Sequence, residues 1–169
     1  MIRSGMLVRT FEDRDVAPAN ALTNTYIRET AIHFGLHEAT DAEFRAVWQS
    51  GSARFPWLAA EVDGRFAGYA KAGVWREREA YAGTVETGVY VDPSFHRRGV
   101  GRGLYAELFT RLRAAGFHTV IAGIALPNDA SVRMHEACGF THVGTSREVG
   151  RKFGKWWDVG FWQAHLYTS

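Results

Sequence analysis

A segment rich in arginine and glycine lies between a predicted strand and a predicted helix, and its composition is that of an anion site. In order, its residues are Arg97, Arg98, Gly99, Val100, Gly101 and Arg102. A helix that begins on glycines leaves its first backbone N–H groups uncovered, and the positive end of the helix dipole adds to their attraction for a phosphate. The arginines strengthen that attraction. The alternative is a glycine-containing turn that caps an ordinary helix.

Two residues outside this segment have side chains suited to proton transfer. A carboxyl among apolar neighbours such as Val85 and Val89 has a raised pKa, closer to the value that removing a proton from an ammonium near pH 7 requires. Glu86 is therefore a candidate general base, the alternative being a glutamate at the core edge that pairs with Arg76. His135 is a candidate to protonate a leaving group or to act as a second base, and the alternative is a histidine that only packs.

The elements that must position these residues follow from hydrophobic periodicity. Residues 84–91 alternate as a strand with two faces, and the Asp92-Pro93 pair ends it. One face carries Val85, Thr87, Val89 and Val91, and the other carries Glu86, Gly88 and Tyr90. The helix after the loop has its apolar stripe at Leu104, Leu108, Phe109 and Leu112. The sequence therefore predicts a strand, an anion-binding loop and an amphipathic helix between residues 84 and 115.

The rest of the chain adds further strands and helices around this unit. Strands are predicted at residues 6–9, 57–62, 65–72, 118–126, 141–149 and 156–166. The pair Asp63-Gly64 is a strong signal for a hairpin between the second and third strands. A first helix is predicted over residues 16–27. A second is predicted after an N-cap at Asp41, and another after an N-cap at Asn128 or Asp129. The buried face of the second helix is predicted to carry Phe44, Val47 and Trp48.

Composition and charge limit the classes of protein to consider. A chain of 169 residues with 46% hydrophobic residues is expected to form a single domain over residues 1–169. It has no apolar run near the roughly 18 residues that span a bilayer. It also lacks a signal-peptide pattern, so we expect a cytoplasmic protein with no membrane partner. Its 20 basic and 18 acidic residues give a net charge of +2, too balanced for a dedicated nucleic-acid binder.

Cysteine and histidine usage argues against disulfide and metal chemistry. The one cysteine, Cys138, excludes an internal disulfide and a cysteine metal cluster. We expect it to be a small buried hydrophobe and not a nucleophile. The remaining histidines do not show the spacing of metal ligands. They are His33, His37, His96, His118, His142 and His165. We therefore expect no metal site.

Spacing distinguishes the loop from two other phosphate-binding motifs. A dinucleotide fingerprint needs its first glycine immediately after the strand, whereas seven residues, 92–98, intervene here. A P-loop ends in Gly-Lys-Ser/Thr, which this loop lacks. The loop instead resembles the (Gln/Arg)-x-x-Gly-x-(Gly/Ala) signature of the GNAT superfamily of N-acetyltransferases. A second resemblance follows in order: Asn128, Ser131, then His135 where the family commonly has tyrosine, then Gly139-Phe140.

This resemblance implies a fold, a co-substrate and a set of binding residues. The fold is α+β with three α/β/α layers, the GNAT acyl-CoA N-acyltransferase fold, with a mixed central sheet of about seven strands and about four helices. The co-substrate is acetyl-CoA, whose pyrophosphate is held by the backbone amides of residues 97–102. Adjacent parallel strands splay in this fold, so that strand amides near Val89 and Val91 bind the pantetheine arm and the thioester oxygen, and Tyr90 between them is also implied to bind the coenzyme. Asn128 and Ser131 complete the implied coenzyme site.

Longer stretches closely resemble one branch of the superfamily, the phosphinothricin and methionine sulfoximine N-acetyltransferases. They are FPWLAAEVDGRFAGYAKAGVWRER, TVETGVYVDP, LPNDASVRMHEACGF and VGRKFGKWWDVGFWQ, and the resemblance covers almost all of the chain from about residue 7. Relatives usually read Glu-His-(Ser/Thr)-Val-Tyr-Val where this chain reads Glu86-Thr87-Gly88-Val89-Tyr90-Val91. The acceptor pocket therefore departs from the usual pattern, whereas the coenzyme site does not.

The acceptor that this branch implies carries a carboxylate, which an arginine fork binds well. The predicted substrate-binding residues are Phe34, Trp75, Arg76, Glu86, Lys152 and Phe153. Arg76, with Arg78 as a second candidate, is expected to bind the carboxylate, and Trp75 to form an apolar wall. Lys152 and Phe153 in the last hairpin are expected to close the pocket, across the interface of a homodimer as relatives imply. For the charged residues the alternative is a solvated surface position.

The expected function is acetyl transfer from acetyl-CoA to the amino group of a small amino-acid-like substrate by direct transfer in a ternary complex. The branch implies phosphinothricin, methionine sulfoximine or methionine sulfone as the substrate type, and hence resistance to such compounds. Two alternatives stay open. One is a GNAT enzyme for another amine, such as a polyamine, an aminoglycoside or a protein N-terminus. The other is a non-catalytic regulator that binds acyl-CoA.

Overall fold

A computed structural model describes residues 5–167; the rest of the predicted domain, residues 1–4 and 168–169, lies outside the described part. The strands are β1 (Met6–Thr10), β2 (Trp57–Val62), β3 (Arg65–Val74), β4 (Thr84–Val91), β5 (Thr119–Leu126), β6 (Thr141–Lys152) and β7 (Lys155–His165). The α-helices of this part are α1 (Val16–Glu29), α2 (Asp41–Gly51), α3 (Val100–Ala114) and α4 (Asp129–Ala137). Short 3-10 helices cover Asp13–Asp15, Glu79–Tyr81 and Pro93–Phe95.

The strands form one mixed sheet in the order β1-β2-β3-β4-β5-β7-β6. Neighbouring strands are antiparallel except for β4 and β5, which run parallel. The parallel pairing extends only from Thr84, opposite Thr119, to Glu86, opposite Ile121. Beyond Glu86 the two strands separate, so the splay that the GNAT resemblance implied is confirmed. It opens a gap in the middle of the sheet.

Helices cover both faces of the sheet, which confirms the three-layer arrangement. On one face, Leu104, Leu108 and Leu112 of α3 are fully buried in the larger hydrophobic core, together with Val85 and Val120 from the sheet. On the other face, α1 and α2 pack over a smaller, aromatic-rich core. Its large side chains are Phe11, Leu22, Tyr26, Phe44, Trp57 and Tyr69. Helices α1 and α2 therefore lie on the face of the sheet opposite to α3.

Local sequence signals explain several element boundaries. Asp63 and Gly64 have φ angles of 52° and 77°, the pair of positive values that a two-residue type I′ hairpin needs. The N-cap of α2 is Thr40 and not Asp41 as predicted. The Thr40 hydroxyl accepts from the Glu43 amide at 3.2 Å, and the Glu43 carboxylate accepts from the Thr40 amide at 2.7 Å. This reciprocal pair fixes the start of the helix.

The second helix also departs from its predicted face. Phe44 is buried and Trp48 is half-buried as expected, but Val47 is 58% exposed, so the prediction that it packs in the core is wrong. Val47 lines a cavity instead. Among the described residues, no helix is long and apolar enough to cross a membrane.

Candidate active site

A cavity of about 570 Å³ lies at the gap between β4 and β5. Trp57 and Lys71 line it from the face that α1 and α2 cover, and Ser131 and His135 line it from the face that α4 covers. Between them the walls are formed by residues 86–90 of β4 and residues 123–125 of β5. The cavity therefore reaches both faces of the sheet through the splay, and two ligands can meet in it from opposite sides.

The direction of the β4 backbone groups follows from one hydrogen bond. The Asp92 amide donates to the Ala67 carbonyl on β3 at 2.9 Å. Hydrogen-bonded and non-hydrogen-bonded pairs alternate along an antiparallel ladder, so the N–H groups of Val89 and Val91 point away from β3. They face β5 where its pairing with β4 has ended. Because the Tyr90 amide faces β3, Tyr90 can contribute to a bound coenzyme only through its ring, which lines the cavity.

Glu86 lies at the edge of the gap, where it is exposed and lines the cavity. The surrounding walls still raise the pKa of its carboxyl group, because they remove part of its hydration. The positive charges of Lys71 and Arg76 act in the opposite direction. Within residues 5–167 neither cation forms a salt bridge with Glu86, so its carboxylate is not committed to a structural pair.

His135 is buried, with 7% of its surface exposed, and both ring nitrogens have protein partners. Its Nδ1 lies 2.7 Å from the Ser131 carbonyl oxygen, which can only accept a hydrogen bond, so Nδ1 carries the proton. Nε2 therefore accepts from the Tyr105 hydroxyl at 2.8 Å. Burial lowers the pKa of His135 and outweighs the Ser131 bond, which raises it. The ring is thus neutral at pH 7, and donating its proton requires the bond to Ser131 to open.

The predicted anion loop forms the start of α3. Gly99 is the N-cap with a φ of 79°, a left-handed conformation that favours glycine. The first hydrogen bond of the helix runs from the Gly103 amide to the Gly99 carbonyl at 2.9 Å. The amides of residues 100–102 come before it and therefore have no acceptor within the helix. Arg97, Arg98 and Arg102 are exposed around this terminus. The structure therefore presents the amides and charges that a pyrophosphate needs, at the end of the helix that follows β4.

The start of α4 supplies the neighbouring wall. The Asn128 side chain is the N-cap and accepts from the Ser131 amide at 3.2 Å, as the sequence predicted for one of its two candidate caps. Asn128 and Ser131 both line the cavity beside His135. The methionine one residue before His135, Met134, lies 3.5 Å from the position that a Cβ on Gly101 would take. The predicted coenzyme residues of α3 and α4 are thus neighbours.

The arginines predicted for the acceptor lie next to this cavity and not in it. Arg76 and Arg78 line a second cavity of about 310 Å³, which shares Phe55 and Val74 with the larger one. The Trp75 ring packs edge-on against Phe161 of β7 at 5.8 Å, and the Arg76 guanidinium lies 4.9 Å from the Trp75 centroid. The predicted role of these residues in substrate binding stays a prediction.

The last hairpin contacts the segment between α1 and α2. The buried Lys152 donates through Nζ to the His33 carbonyl at 2.6 Å, and the Phe34 ring lies directly on Gly150. Phe153 at the tip is 56% exposed. Within one chain these contacts hold the β6–β7 hairpin against the segment between α1 and α2. Phe34, Lys152 and Phe153 are not among the residues that line the larger cavity, and their predicted contact with the substrate stays a prediction.

Lys71 is the main residue that sequence reasoning missed. It lies on β3 directly opposite Gly88, and its ammonium is 5.5 Å from the Trp57 ring centroid. Burial lowers the pKa of Lys71, while Glu86 raises it. A signal was present in the sequence, because Lys71 is the one charged residue in the apolar run of residues 66–74. Strand alternation places it on the same face as Tyr69.

These features define a class of protein. Residues 20–140 match the Acetyltransferase (GNAT) family, and the chain belongs to that family. It is an N-acetyltransferase, and its co-substrate is acetyl-CoA. The site fits that co-substrate, because the α3 terminus offers amides and arginines for a pyrophosphate and the splay offers the N–H groups of β4. The fold expected from the GNAT resemblance is confirmed by solved structures.

Particular relatives narrow the comparison. The chain is 44% identical over 156 residues to a phosphinothricin N-acetyltransferase of Streptomyces viridochromogenes, covering 92% of this chain and 85% of that protein. It is 34% identical over 163 residues to an L-methionine sulfoximine/L-methionine sulfone acetyltransferase of Salmonella typhimurium, covering 95% of each. A phosphinothricin acetyltransferase from Sinorhizobium meliloti, solved with acetyl-CoA, superposes with a TM-score of 0.91 at 28% identity, covering 95% of this chain and 88% of that one.

Proposed function

We propose that this enzyme transfers the acetyl group of acetyl-CoA to the amino group of a small amino-acid-like substrate of the phosphinothricin, methionine sulfoximine or methionine sulfone type. The observation that supports the proposal is the cavity through the sheet, which both Glu86 and Val89 of β4 line. Its volume of about 570 Å³ is in the range of small-ligand sites. The names of the relatives supply the substrate type.

In this proposal the chain holds the coenzyme at two places. The amides of residues 100–102 and the side chains of Arg97, Arg98 and Arg102 bind the pyrophosphate. The N–H groups of Val89 and Val91 bind the pantetheine arm and the carbonyl oxygen of the thioester, so that charge developing on that oxygen meets preformed donors. Bound acetyl-CoA supplies an acetyl group activated as a thioester.

Glu86 and His135 take the proposed proton-transfer roles. Glu86 removes a proton from the ammonium of the acceptor, directly or through one water, and the free amine then attacks the thioester carbonyl. The C–S bond breaks as the C–N bond forms, and the sulfur leaves as a thiolate. The sulfur gains a proton through His135: Nδ1, which carries hydrogen in the free enzyme, donates to the sulfur while Nε2 takes up the Tyr105 proton, so that no imidazolate forms. The attacking nitrogen loses its second proton as the amide forms, and that proton restores Tyr105. Tyr105 holds Nε2 and so keeps the proton at Nδ1.

Direct transfer is favoured over a covalent acetyl-enzyme. Burial raises the pKa of the Cys138 thiol, which keeps it protonated and a poor nucleophile. Cys138 does not line the cavity. Both reactants must then be bound at once, and the two openings of the cavity toward opposite faces of the sheet allow that.

Organisation and setting complete the proposal. We infer one catalytic domain over residues 1–169, working in the cytoplasm where acetyl-CoA is made, with protection against toxic glutamate analogues as its role. We also propose a homodimer. The edge strand β6 and the hairpin tip expose the apolar side chains of Val149, Phe153 and Trp156, each more than half exposed. Light scattering at micromolar concentration tests the dimer, since a monomer mass contradicts it.

The substrate class is tested by release of the coenzyme A thiol with a panel of amines. The panel contains phosphinothricin, methionine sulfoximine, methionine sulfone, common amino acids, spermidine, an aminoglycoside and a short peptide. We expect turnover with the first three compounds, with kcat/KM at least tenfold above that for the other amines. Turnover confined to spermidine, the aminoglycoside or the peptide contradicts the proposal. Acetyl-CoA binding without turnover on any amine supports the regulator instead.

A further inference from the structure

Lys71 presents an unpaired positive charge to the cavity. Its side chain is half-buried on the face of the sheet that α1 and α2 cover, and burial lowers its pKa. An ammonium has three N–H donors. Within residues 5–167 none of them forms a hydrogen bond or a salt bridge, and the ammonium lies over the Trp57 ring, 5.5 Å from its centroid. The charge is therefore partly withdrawn from water, and among the described residues it has a cation–π contact but no hydrogen-bonding or ionic partner.

Such an arrangement costs free energy unless a ligand completes it. A buried charge is tolerated in proteins when it is paired, and an unpaired one is a destabilising feature. Carboxylate and phosphinate oxygens form the charge-assisted hydrogen bonds that an ammonium lacks here. A neutral or cationic ligand leaves Lys71 unpaired.

The position of Lys71 relative to Glu86 is set by strand register. Lys71 is opposite Gly88, and Glu86 is two residues from Gly88 on the same face of β4. Diagonal neighbours of this kind are about 7–8 Å apart. Gly88 has no side chain, and a Cβ placed on it would lie 3.6 Å from Cε of Lys71, so the lysine arm crosses at that point. An amine at Glu86 and an acidic group at Lys71 can belong to one small molecule.

The other nearby ionisable groups do not take this place. The His33 ring lies 5.8 Å from the Tyr90 ring at an angle of 42°. Burial together with Lys71 and Lys152 lowers the pKa of His33 to about 4, so it is neutral at pH 7. Lys152 is committed to the His33 carbonyl. Arg76 lines the second cavity. Lys71 is the cation that the larger cavity presents beside Glu86 among its lining residues.

We propose that the Lys71 ammonium binds an acidic group of the acceptor, a carboxylate or a phosphinate, and thereby restricts the enzyme to amines that carry a negative charge close to the reacting nitrogen. This inference rests on the proposed function and names the feature that its substrates share. Lys71 is a specificity-determining residue of the acceptor half of the cavity, and it takes no part in the proton transfers.

Binding measurements test the proposal without requiring turnover. Isothermal titration of the enzyme saturated with coenzyme A compares wild type, Lys71→Met and Lys71→Arg. The ligands are L-methionine sulfone, its carboxamide, and the carboxamide of phosphinothricin. The first has only a carboxylate, the second has no acidic group, and the third has only a phosphinate. Lys155→Met, on the exposed hairpin, is the matched control.

We expect Lys71→Met to weaken binding of an acidic ligand by about 10- to 100-fold, the usual scale of a hydrogen bond to a charged group. Binding of the uncharged carboxamide should change less than about threefold. Lys71→Arg keeps the charge and should restore part of the affinity. Which of the two acidic ligands responds identifies the group that Lys71 holds. Lys155→Met should match wild type for all three ligands.

Three results overturn the inference. They are equal affinities of wild type and Lys71→Met for both acidic ligands, equal weakening for acidic and uncharged ligands, and no binding of either acidic ligand to wild type at millimolar concentration. Lys71→Gln serves as the second variant if Lys71→Met does not fold. The proposed function fails separately, when wild type shows these affinities but no amine of the panel is acetylated.

Discussion

Glu86 is subject to two opposing influences, and their balance sets the pH at which it can act. Removal of water by the cavity walls raises the pKa of its carboxyl group, and the positive charges of Lys71 and Arg76 lower it. The Tyr90 hydroxyl, which also faces it, is neutral because burial raises its pKa to about 12. The net result is a pKa above the ordinary value, which suits a base that takes a proton from an ammonium.

Replacing Glu86 by glutamine should lower kcat/KM on the order of a hundredfold, the scale of a lost general base. The acetyl-CoA affinity should not change, since Glu86 lies on the acceptor side of the gap. In wild type the rate should rise with pH as Glu86 loses its proton, and this limb should be absent from the Glu86→Gln profile. The measurement is kcat/KM for the acceptor between pH 5 and pH 9. An unchanged rate in the variant removes Glu86 from the mechanism.

The same pH profile reports on Lys71. Loss of a positive charge destabilises the Glu86 carboxylate, so Lys71→Met should raise the pKa of Glu86 further and move the rising limb to higher pH. Lys155→Met, which changes a lysine remote from Glu86, should leave the limb where wild type has it. A limb that moves to lower pH in Lys71→Met contradicts the assigned interaction.

At the scale of elements, the proposed coenzyme site requires room between the start of α3 and the start of α4. Gly101 is in the first turn of α3, and a Cβ there would meet Met134 of α4 at ordinary contact distances of 3.5–3.7 Å. An alanine therefore fits the free protein. The added methyl group narrows the passage by which a coenzyme arm reaches the amides of the helix terminus.

Gly101→Ala should therefore separate stability from binding. The free energy of unfolding should rise by about 0.5–1 kcal/mol, because alanine favours the helix over glycine. The KM for acetyl-CoA should increase about tenfold or more, with the acceptor KM unchanged. Denaturant unfolding and initial rates measure the two effects. Ala106→Gly, on the exposed side of α3, is the control and should lower stability without changing the acetyl-CoA KM.

Elements were easier to predict from the sequence than the acceptor site. All seven strands were predicted: alternation indicated residues 84–91, an apolar run indicated residues 118–126, and Asp63-Gly64 marked the hairpin between the second and third strands. The start of α3 at a glycine N-cap was predicted from composition, and its binding of an anion stays a prediction that rests on backbone groups that glycine exposes. The Thr40 cap was missed because the prediction weighed Asp41 alone and not the reciprocal pair with Glu43.

The acceptor residues depend on register and on contacts between distant elements, which the sequence does not display. Lys71 is a diagonal neighbour of Glu86 only because β3 and β4 pair with Lys71 opposite Gly88. Lys152 was predicted to close the pocket, yet its ammonium binds the His33 carbonyl, 119 residues away. Arg76 has the right chemistry for a carboxylate but lines the smaller cavity. Side-chain type alone does not show which of Lys71, Arg76 and Lys152 lies in the larger cavity.

At the scale of the whole molecule, buried histidines link stability to pH. Burial lowers the pKa of His135, and it lowers that of His33 from 6.5 to about 4. In the unfolded chain both rings regain an ordinary pKa and bind protons first as the pH falls. This destabilisation is absent well above pH 6.5 and grows as the pH falls through the unfolded pKa, and for His33 it levels off below about pH 4.

The free energy of unfolding should accordingly fall on acidification, by at most about 1.4 kcal/mol per pH unit for each histidine. Urea unfolding at several values between pH 7 and pH 4.5 measures this slope. His33→Asn should reduce the slope, whereas His142→Asn, at an exposed position, should not. A slope that is the same in His33→Asn and wild type contradicts the assignment.

The central claim is that one cavity through the sheet holds both reactants at the same time, with transfer between them in a single step. The measurement that tests it most directly is a set of initial rates of coenzyme A release, with acetyl-CoA and methionine sulfone both varied. The account predicts double-reciprocal lines that intersect, as a ternary complex requires. Parallel lines, together with an acetylated protein detected by mass spectrometry in the absence of acceptor, would contradict it and point to a covalent intermediate.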